Sequence, residues 1–192
     1  MGGPAPNLIL ASTSPRRREL LARLGLPFEV QDPGDAEATG GPRAPLARAR
    51  WAAAEKARSV AAHHGDSVVI GADTMVSVGG RGLGKPNGPE EARSMLRLLS
   101  GRTHTIYTAV HVIAGGGQAS GYGRSLLTLR SLSDSEIDWY LGLGESMDKA
   151  GAYSIQGHGH QLATRRQGSL DTIIGLPLKV VRRLLAVVGE AG

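Results

Sequence analysis

Four groups of residues have the types and spacing to handle a polyanion. The first is Ser12, Ser14, Arg16 and Arg17, in the run LILASTSPRRRELLARL from 8 to 24. A helix carries partial positive charge at its N-terminus, so cations in its first turn are locally unfavourable. An anion bound there would offset the repulsion, because N–H groups at a helix start and guanidinium forks together make a phosphate site. An ordinary solvated, Arg-rich first turn would look the same. The segment is not a Walker loop, since GxxxxGK[ST] is absent. The second group is Asp73-Thr74, directly after the apolar run VVIGA. An acid at the end of a central strand stands where α/β sheets place their sites; a turn-forming Asp is the plainer alternative. The third group is Lys56, in AAAEKARS, and Lys85, in LGKP. Lysine is a compact point charge that suits phosphate. Only Lys56, Lys85, Lys149 and Lys179 stand beside 18 arginines, so each lysine position is informative. Taken singly, Lys56, Lys85 and the loop acid Glu37 (in DPGDAEA) also fit solvated positions. The fourth is Gln156, in SIQG, whose amide offers a donor and an acceptor to a nucleobase edge. His158 and His160 lack a third ligand at useful spacing and read as loop residues.

The surrounding pattern must position these groups. Residues 7–11 predict a short buried strand, and Ser14 a cap for a helix with Pro15 at its first position. Residues 26–31 predict a second strand, 32–45 a loop and 45–63 a long Ala-rich helix. The segment 67–78 is the clearest strand, apolar at its start and therefore central. A turn-rich loop over 79–88 and a helix over 89–101 follow. Residues 103–114 and 119–130 predict a hairpin around Gly115-Gly116-Gly117. A helix from Ser133 to 142, a Gly-rich loop over 151–160, a strand over 161–166 and a helix from Pro177 to 188 complete the chain. Alternating strands and helices with a hairpin in the middle predict an α/β fold on a mixed sheet.

Composition narrows the function. A chain of 192 residues suggests a single domain over 1–192, with two lobes around a cleft and flexible tails at 1–6 and 189–192. The absence of cysteine excludes a disulfide framework, a thiol nucleophile and a thiolate metal site. No signal-like start and no apolar run of ~20 residues are present, so no membrane partner is expected. The charge of +5 and pI of about 10.0 invite nucleic acid, but only 4% of residues are aromatic. That leaves little for base stacking, and the arginines are scattered rather than striped. A nucleic-acid module therefore ranks below a site for free nucleotides.

Together the fragments resemble the Maf family of nucleoside triphosphate pyrophosphatases over residues 8–185. The resemblance rests on ASTSPRRRELL at 11–21, EKA at 55–57, GADT at 71–74 and GKP at 84–86. It continues through EEARSMLRLLSGRTHTIYTAV at 90–110, DKAGAYSIQG at 148–157 and GLPL at 175–178. It implies an elongated mixed sheet flanked by helices with a central cleft, as in inosine triphosphate pyrophosphatases. It also implies a cytoplasmic enzyme, often dimeric, that uses Mg2+ or Mn2+. Hydrolysis would fall between the α and β phosphates. The resemblance makes Asp73 the general base and a metal ligand with Glu37. It gives Lys56 and Lys85 the charge of the leaving pyrophosphate, and Ser12 with Arg16 or Arg17 the triphosphate. In the branch acting on 7-methyl-GTP, Trp follows Ser-Pro, Gln follows the strand Asp and the loop reads Ser-Glu-Gly. Here Arg16, Thr74 and Gln156 stand at those positions, as in the dTTP/UTP branch. A 7-methyl-GTP or broader modified-nucleotide pyrophosphatase is the alternative activity. A non-catalytic nucleotide binder is the alternative class, since Maf proteins have been linked to septum formation. The chain departs from the family around Glu37, in RSLLTLRSL, and at Asp171-Thr172.

Overall fold

A computed structural model describes residues 7–36, 40–115 and 117–189. Of the tails expected to be flexible, 1–6 and 189–192, all but Gly189 lie outside the described residues, as does Glu37. Strand β1 (Leu8–Ala11) is followed by helix α1 (Pro15–Ala22), β2 (Glu29–Gln31) and the long α2 (Pro45–Ala61). Then come β3 (Val68–Val78), β4 (Arg81–Leu83), α3 (Pro89–Leu99), β5 (Thr103–Ala114) and β6 (Gly117–Leu129). Helix α4 (Asp134–Gly142), β7 (Ala163–Gln167), α5 (Leu170–Ile174) and α6 (Leu178–Gly189) complete it, with short 3-10 turns at Ala150–Ala152 and Gly157–Leu162.

The seven strands form one mixed sheet in the order β2-β1-β3-β5-β6-β7, with β4 also paired to β3. Pairs β1–β2 and β1–β3 are parallel, and the others antiparallel. The α/β expectation is met. The second strand is shorter than the span 26–31, because a parallel partner extends only as far as β1, from Ile9↔Glu29 to Ala11↔Gln31. Two elements were not anticipated. Strand β4 is three residues inside what reads as a Gly-rich turn, and α5 is five residues, too few for a helical period to register. Ser14 does occupy the N-cap of α1, yet its side chain makes no cap bond. Ser12 Oγ instead accepts the Ser14 N–H at 3.3 Å.

The register of β3 opens the cleft. Its first half pairs with β1 as far as Ala11↔Gly71, and on the same side β4 picks it up again only at Val76↔Leu83. Between the two, β1 has turned away into the Ser12–Ser14 loop and α1. Residues 72–75 are thus left to border a gap in the sheet. Apolar clusters lie to either side. Ile70 and Ala72 pack with Leu20, Val181 and Leu184, whereas Val76 and Val78 pack with Leu96, Leu99 and Tyr140.

Period-two alternation then sends consecutive side chains to opposite faces. Gly71, Asp73 and Met75 face α2, and Thr74 faces the α5 side. Helix α2 lies close because it presents Ala49, Ala53 and Ala57, all fully buried, to the sheet. A Cβ at Gly71 would stand 2.2 Å from the Ala53 carbonyl oxygen. Gly71→Ala must push α2 outward and carry Lys56 with it. We expect a cost of about 1–3 kcal/mol, as for other overpacked cores, read as a lower midpoint of thermal unfolding; an unchanged midpoint would refute the close approach.

Candidate active site

The gap in the sheet is the floor of a cleft of about 900 Å³. Ser12, Arg16, Arg17, Lys56, Asp73, Thr74, Lys85 and Gln156 all line it. They arrive from the end of β1, the start of α1, the middle of α2, the middle of β3, the loop after β4 and the segment after α4. Glu37 alone of the expected residues is not described.

Asp73 and Lys56 form the most enclosed ion pair among the described residues. Lys56 Nζ donates to Asp73 Oδ1 at 2.8 Å, with side-chain exposures of 10% and 14%. The pair exists because β3 turns Asp73 toward α2 and the Ala-rich helix face lets the two backbones approach. Removing one partner of such a pair leaves a poorly solvated charge, which costs more than the pair gains.

The three arginines at the start of α1 have separate positions. Arg16 Nη1 donates to Asp148 Oδ2 across the cleft at 3.2 Å. Arg17 points inward. Its Nε donates to the Gly175 carbonyl at 3.0 Å, Nη1 to Ser12 Oγ at 3.2 Å and Nη2 toward Thr74 Oγ1 at 3.5 Å. Arg18 is exposed. The unfavourable first-turn charge is therefore met in part by the protein itself, through Asp148 and the Gly175 carbonyl. Burial works to raise the Asp148 carboxyl. Hydrogen bonds from Lys149 and Arg16 together outweigh it and hold the group below its ordinary value.

Sequence reasoning missed several cleft residues. Asp32, Asp35, Arg48, Asn87, Asp148, Lys149 and Tyr153 share the wall. Arg48 was detectable, since 48, 52 and 56 recur at i, i+4 and i+8 on one helix face. Asp148 and Lys149 stand inside the DKAGAYSIQG motif. Their placement depends on a turn that no periodicity reveals: Gly151 and Ala152 both have positive φ, 74° and 61°. Ala152 is the one non-glycine residue described with that conformation, which L-residues adopt rarely. The Gly151 N–H donates to the Gly84 carbonyl at 2.9 Å, so this segment and the loop carrying Lys85 are tied together. The departure at Asp171 has a structural cause. Asp171 Oδ2 accepts the Leu178 N–H at 2.9 Å and so caps the start of α6.

Tyr153 connects the cleft to the core. Its hydroxyl lies 2.5 Å from Nε2 of His104, which is 2% exposed. Burial pushes the imidazole down to about 4 and the phenol up from its ordinary value. An unfolded chain protonates His near 6.5, so across the window between 6.5 and about 4 it binds more protons than the folded one. Stability is then full above pH 6.5 and drains as pH falls toward 4, by an amount on the order of 3 kcal/mol. Thermal unfolding at pH 7 and pH 4.5 checks this: His104→Gln should lose less than the unmodified chain, and equal losses would assign the acid lability elsewhere.

Six cationic side chains line the cleft against four carboxylates, an excess that suits a polyphosphate. The carboxylates of Asp32, Asp35 and Asp73 are hard oxygen donors. Among the described residues no group of three or more His, Asp or Glu comes together. That donor set suits Mg2+ or Mn2+, since Mg2+ takes one or two carboxylates and completes its shell with water and phosphate oxygens. It does not suit an ion caged wholly by protein. No helix among the described residues is long and apolar enough to cross a membrane.

Comparison with known proteins agrees with this geometry. The family model described as Maf-like protein matches residues 7–188. A dTTP/UTP pyrophosphatase of Moorella thermoacetica is 48% identical over 184 residues, covering 95% of each chain. A dTTP/UTP pyrophosphatase of Deinococcus radiodurans is 48% identical over 185 residues, covering 96% of this chain and 94% of its own. Among solved structures, the Ham1 protein of Staphylococcus aureus superposes with a TM-score of 0.53 at 13% identity. It covers 97% of this chain and 100% of its own, a likeness of fold.

Proposed function

The chain belongs to the Maf family, and from that premise we propose that it is a nucleoside triphosphate pyrophosphatase preferring dTTP and UTP. One observation carries the reading: eight residues from separate segments converge on one cleft around the Lys56–Asp73 pair. Water attacks the α-phosphorus, the bond to the α–β bridging oxygen breaks, and the products are the nucleoside monophosphate and pyrophosphate. Asp73 takes the proton from the attacking water. Lys56 holds Asp73 Oδ1 and so fixes the carboxylate's orientation, and its ammonium supplies positive charge to the phosphates. Lys85 neutralises charge as it builds on the leaving pyrophosphate. Arg16 exchanges Asp148 for a phosphate oxygen, and Arg17 keeps Ser12 and Thr74 in place. Asp73, with Glu37, would hold Mg2+ or Mn2+. When bound, that ion supplies charge neutralisation on the phosphates and a template for in-line attack.

The test is a panel of dTTP, UTP, CTP, GTP and 7-methyl-GTP with Mg2+ or Mn2+, scored for monophosphate and pyrophosphate. Preference for dTTP and UTP supports the branch reading of Arg16, Thr74 and Gln156, with Thr74 and Gln156 at the base. Preference for 7-methyl-GTP would overturn the pocket assignment. Nucleotide binding without product would favour a regulatory binder.

A further inference from the structure

Thr74 and Thr108 are direct cross-strand partners on β3 and β5. Their hydroxyl oxygens are 2.9 Å apart. Thr108 Oγ1 also lies 2.6 Å from the carbonyl oxygen of Thr172, in α5. Carbonyls in the last turn of a helix lack intrahelical partners. Thr108 and Thr172 are buried, at 0% and 2% exposure. A buried carbonyl left unpaired would bear its full desolvation penalty.

The direction of the chain of bonds follows from proton counting. A carbonyl only accepts, and a threonine hydroxyl owns one proton. Thr108 commits its proton to the Thr172 carbonyl. It must therefore accept from Thr74, which commits its own proton in turn. At the cleft, Thr74 Oγ1 has lone pairs alone to offer. Arg17 Nη2, a pure donor, approaches that same oxygen. Phosphate oxygens are acceptors and make a poor match for it.

We propose that Thr108 is a specificity-positioning residue. It fixes the Thr74 hydroxyl as an acceptor, so that the cleft favours a pyrimidine with a ring N–H at that point and disfavours one with a ring lone pair. This rests on the pyrophosphatase reading and deepens it by naming a residue that sets which pyrimidine the site accepts. Uracil and thymine carry N–H at ring position 3, and cytosine carries a lone pair there. The discrimination comes from a buried residue that lines no part of the cleft.

The experiment compares kcat/KM for UTP and CTP in the unmodified chain, Thr108→Val and Thr108→Ser. Val keeps the shape but releases the Thr74 proton, which can then turn to meet a ring lone pair. We expect the unmodified chain to favour UTP by at least ~10-fold and Thr108→Val to narrow that ratio at least ~5-fold, since polar mismatches dominate such discrimination. Thr108→Ser retains the relay and should keep the original ratio within about twofold. An unchanged ratio in Thr108→Val, with both substrates slowed equally, would overturn the proposal and leave Thr108 a structural residue. Should Thr108→Val fail to fold, the unmodified chain decides. With 3-deaza-CTP, in which a C–H replaces the ring nitrogen, it should be more efficient than with CTP; equal or poorer use overturns the proposal. Absence of pyrophosphate from UTP in the unmodified chain would instead overturn the pyrophosphatase reading, and this inference with it.

Discussion

Asp73→Asn is expected to lower the turnover of dTTP at least ~100-fold, the scale of a lost general base. Asparagine keeps the size of the side chain, and its amide oxygen can still accept from Lys56 Nζ, so the contact now at 2.8 Å survives in a neutral form. The charge and most of the basicity are lost. Lys56 then faces a neutral amide in place of the Asp73 carboxylate, in a site where its own exposure is 10%. A modest fall in the midpoint of thermal unfolding should therefore accompany the loss of rate. The two effects are separable, because binding of dTMP to the folded variant reports whether the cleft is intact. Near-normal turnover in a well-folded Asp73→Asn protein would remove Asp73 from the chemical step.

Lys85→Ala should have the second largest effect and the opposite profile. Lys85 is exposed, and the backbone beside it is held by the bond from Gly151 to Gly84. Truncation removes a charge without opening the core, so stability should hardly change. The charge is assigned to the β and γ phosphates, which the monophosphate lacks. We expect kcat/KM for dTTP to fall roughly 100-fold, the scale of losing one preorganised electrostatic contact. Affinity for dTMP, read by calorimetry, should stay within about threefold, because the lost charge faces groups that this ligand does not carry. Equal damage to both ligands would show that Lys85 shapes the loop rather than gripping the leaving group.

These roles were partly visible before the fold. Asp73, Thr74 and Lys85 stand out because polar residues interrupt an apolar strand or a Gly-rich loop. Arg16 and Arg17 stand out because cations oppose the helix dipole. The long strands β3, β5 and β6 were legible from their apolar runs, and α2 from its alanines. Other features depend on contacts distant in sequence. The Lys56–Asp73 pair spans 17 positions and needs Gly71 to let α2 approach. Arg16 meets Asp148 from 132 positions away. Thr108 gives no sequence signal, since its role appears only when the register sets it opposite Thr74. Strand β4 exists because it completes the ladder beyond the gap in β3, a tertiary demand that its three residues do not advertise.

The departures from the family pattern divide in the same way. Asp171 is explained by the start of α6, which it caps, and the Thr172 carbonyl by Thr108. The inward turn of Arg17 further assigns the first-turn cations to two tasks. Arg17 bonds to Ser12 and the Gly175 carbonyl, whereas Arg16 pairs with Asp148, the partner that the proposed function has it exchange for substrate.

The central claim is that water attacks the α-phosphorus of dTTP at Asp73. Hydrolysis of dTTP in 18O-labelled water with Mg2+, followed by mass spectrometry of both products, tests it most directly. The predicted result is dTMP carrying one 18O atom, together with unlabelled pyrophosphate. Label in the pyrophosphate, or release of dTDP and inorganic phosphate, would contradict it.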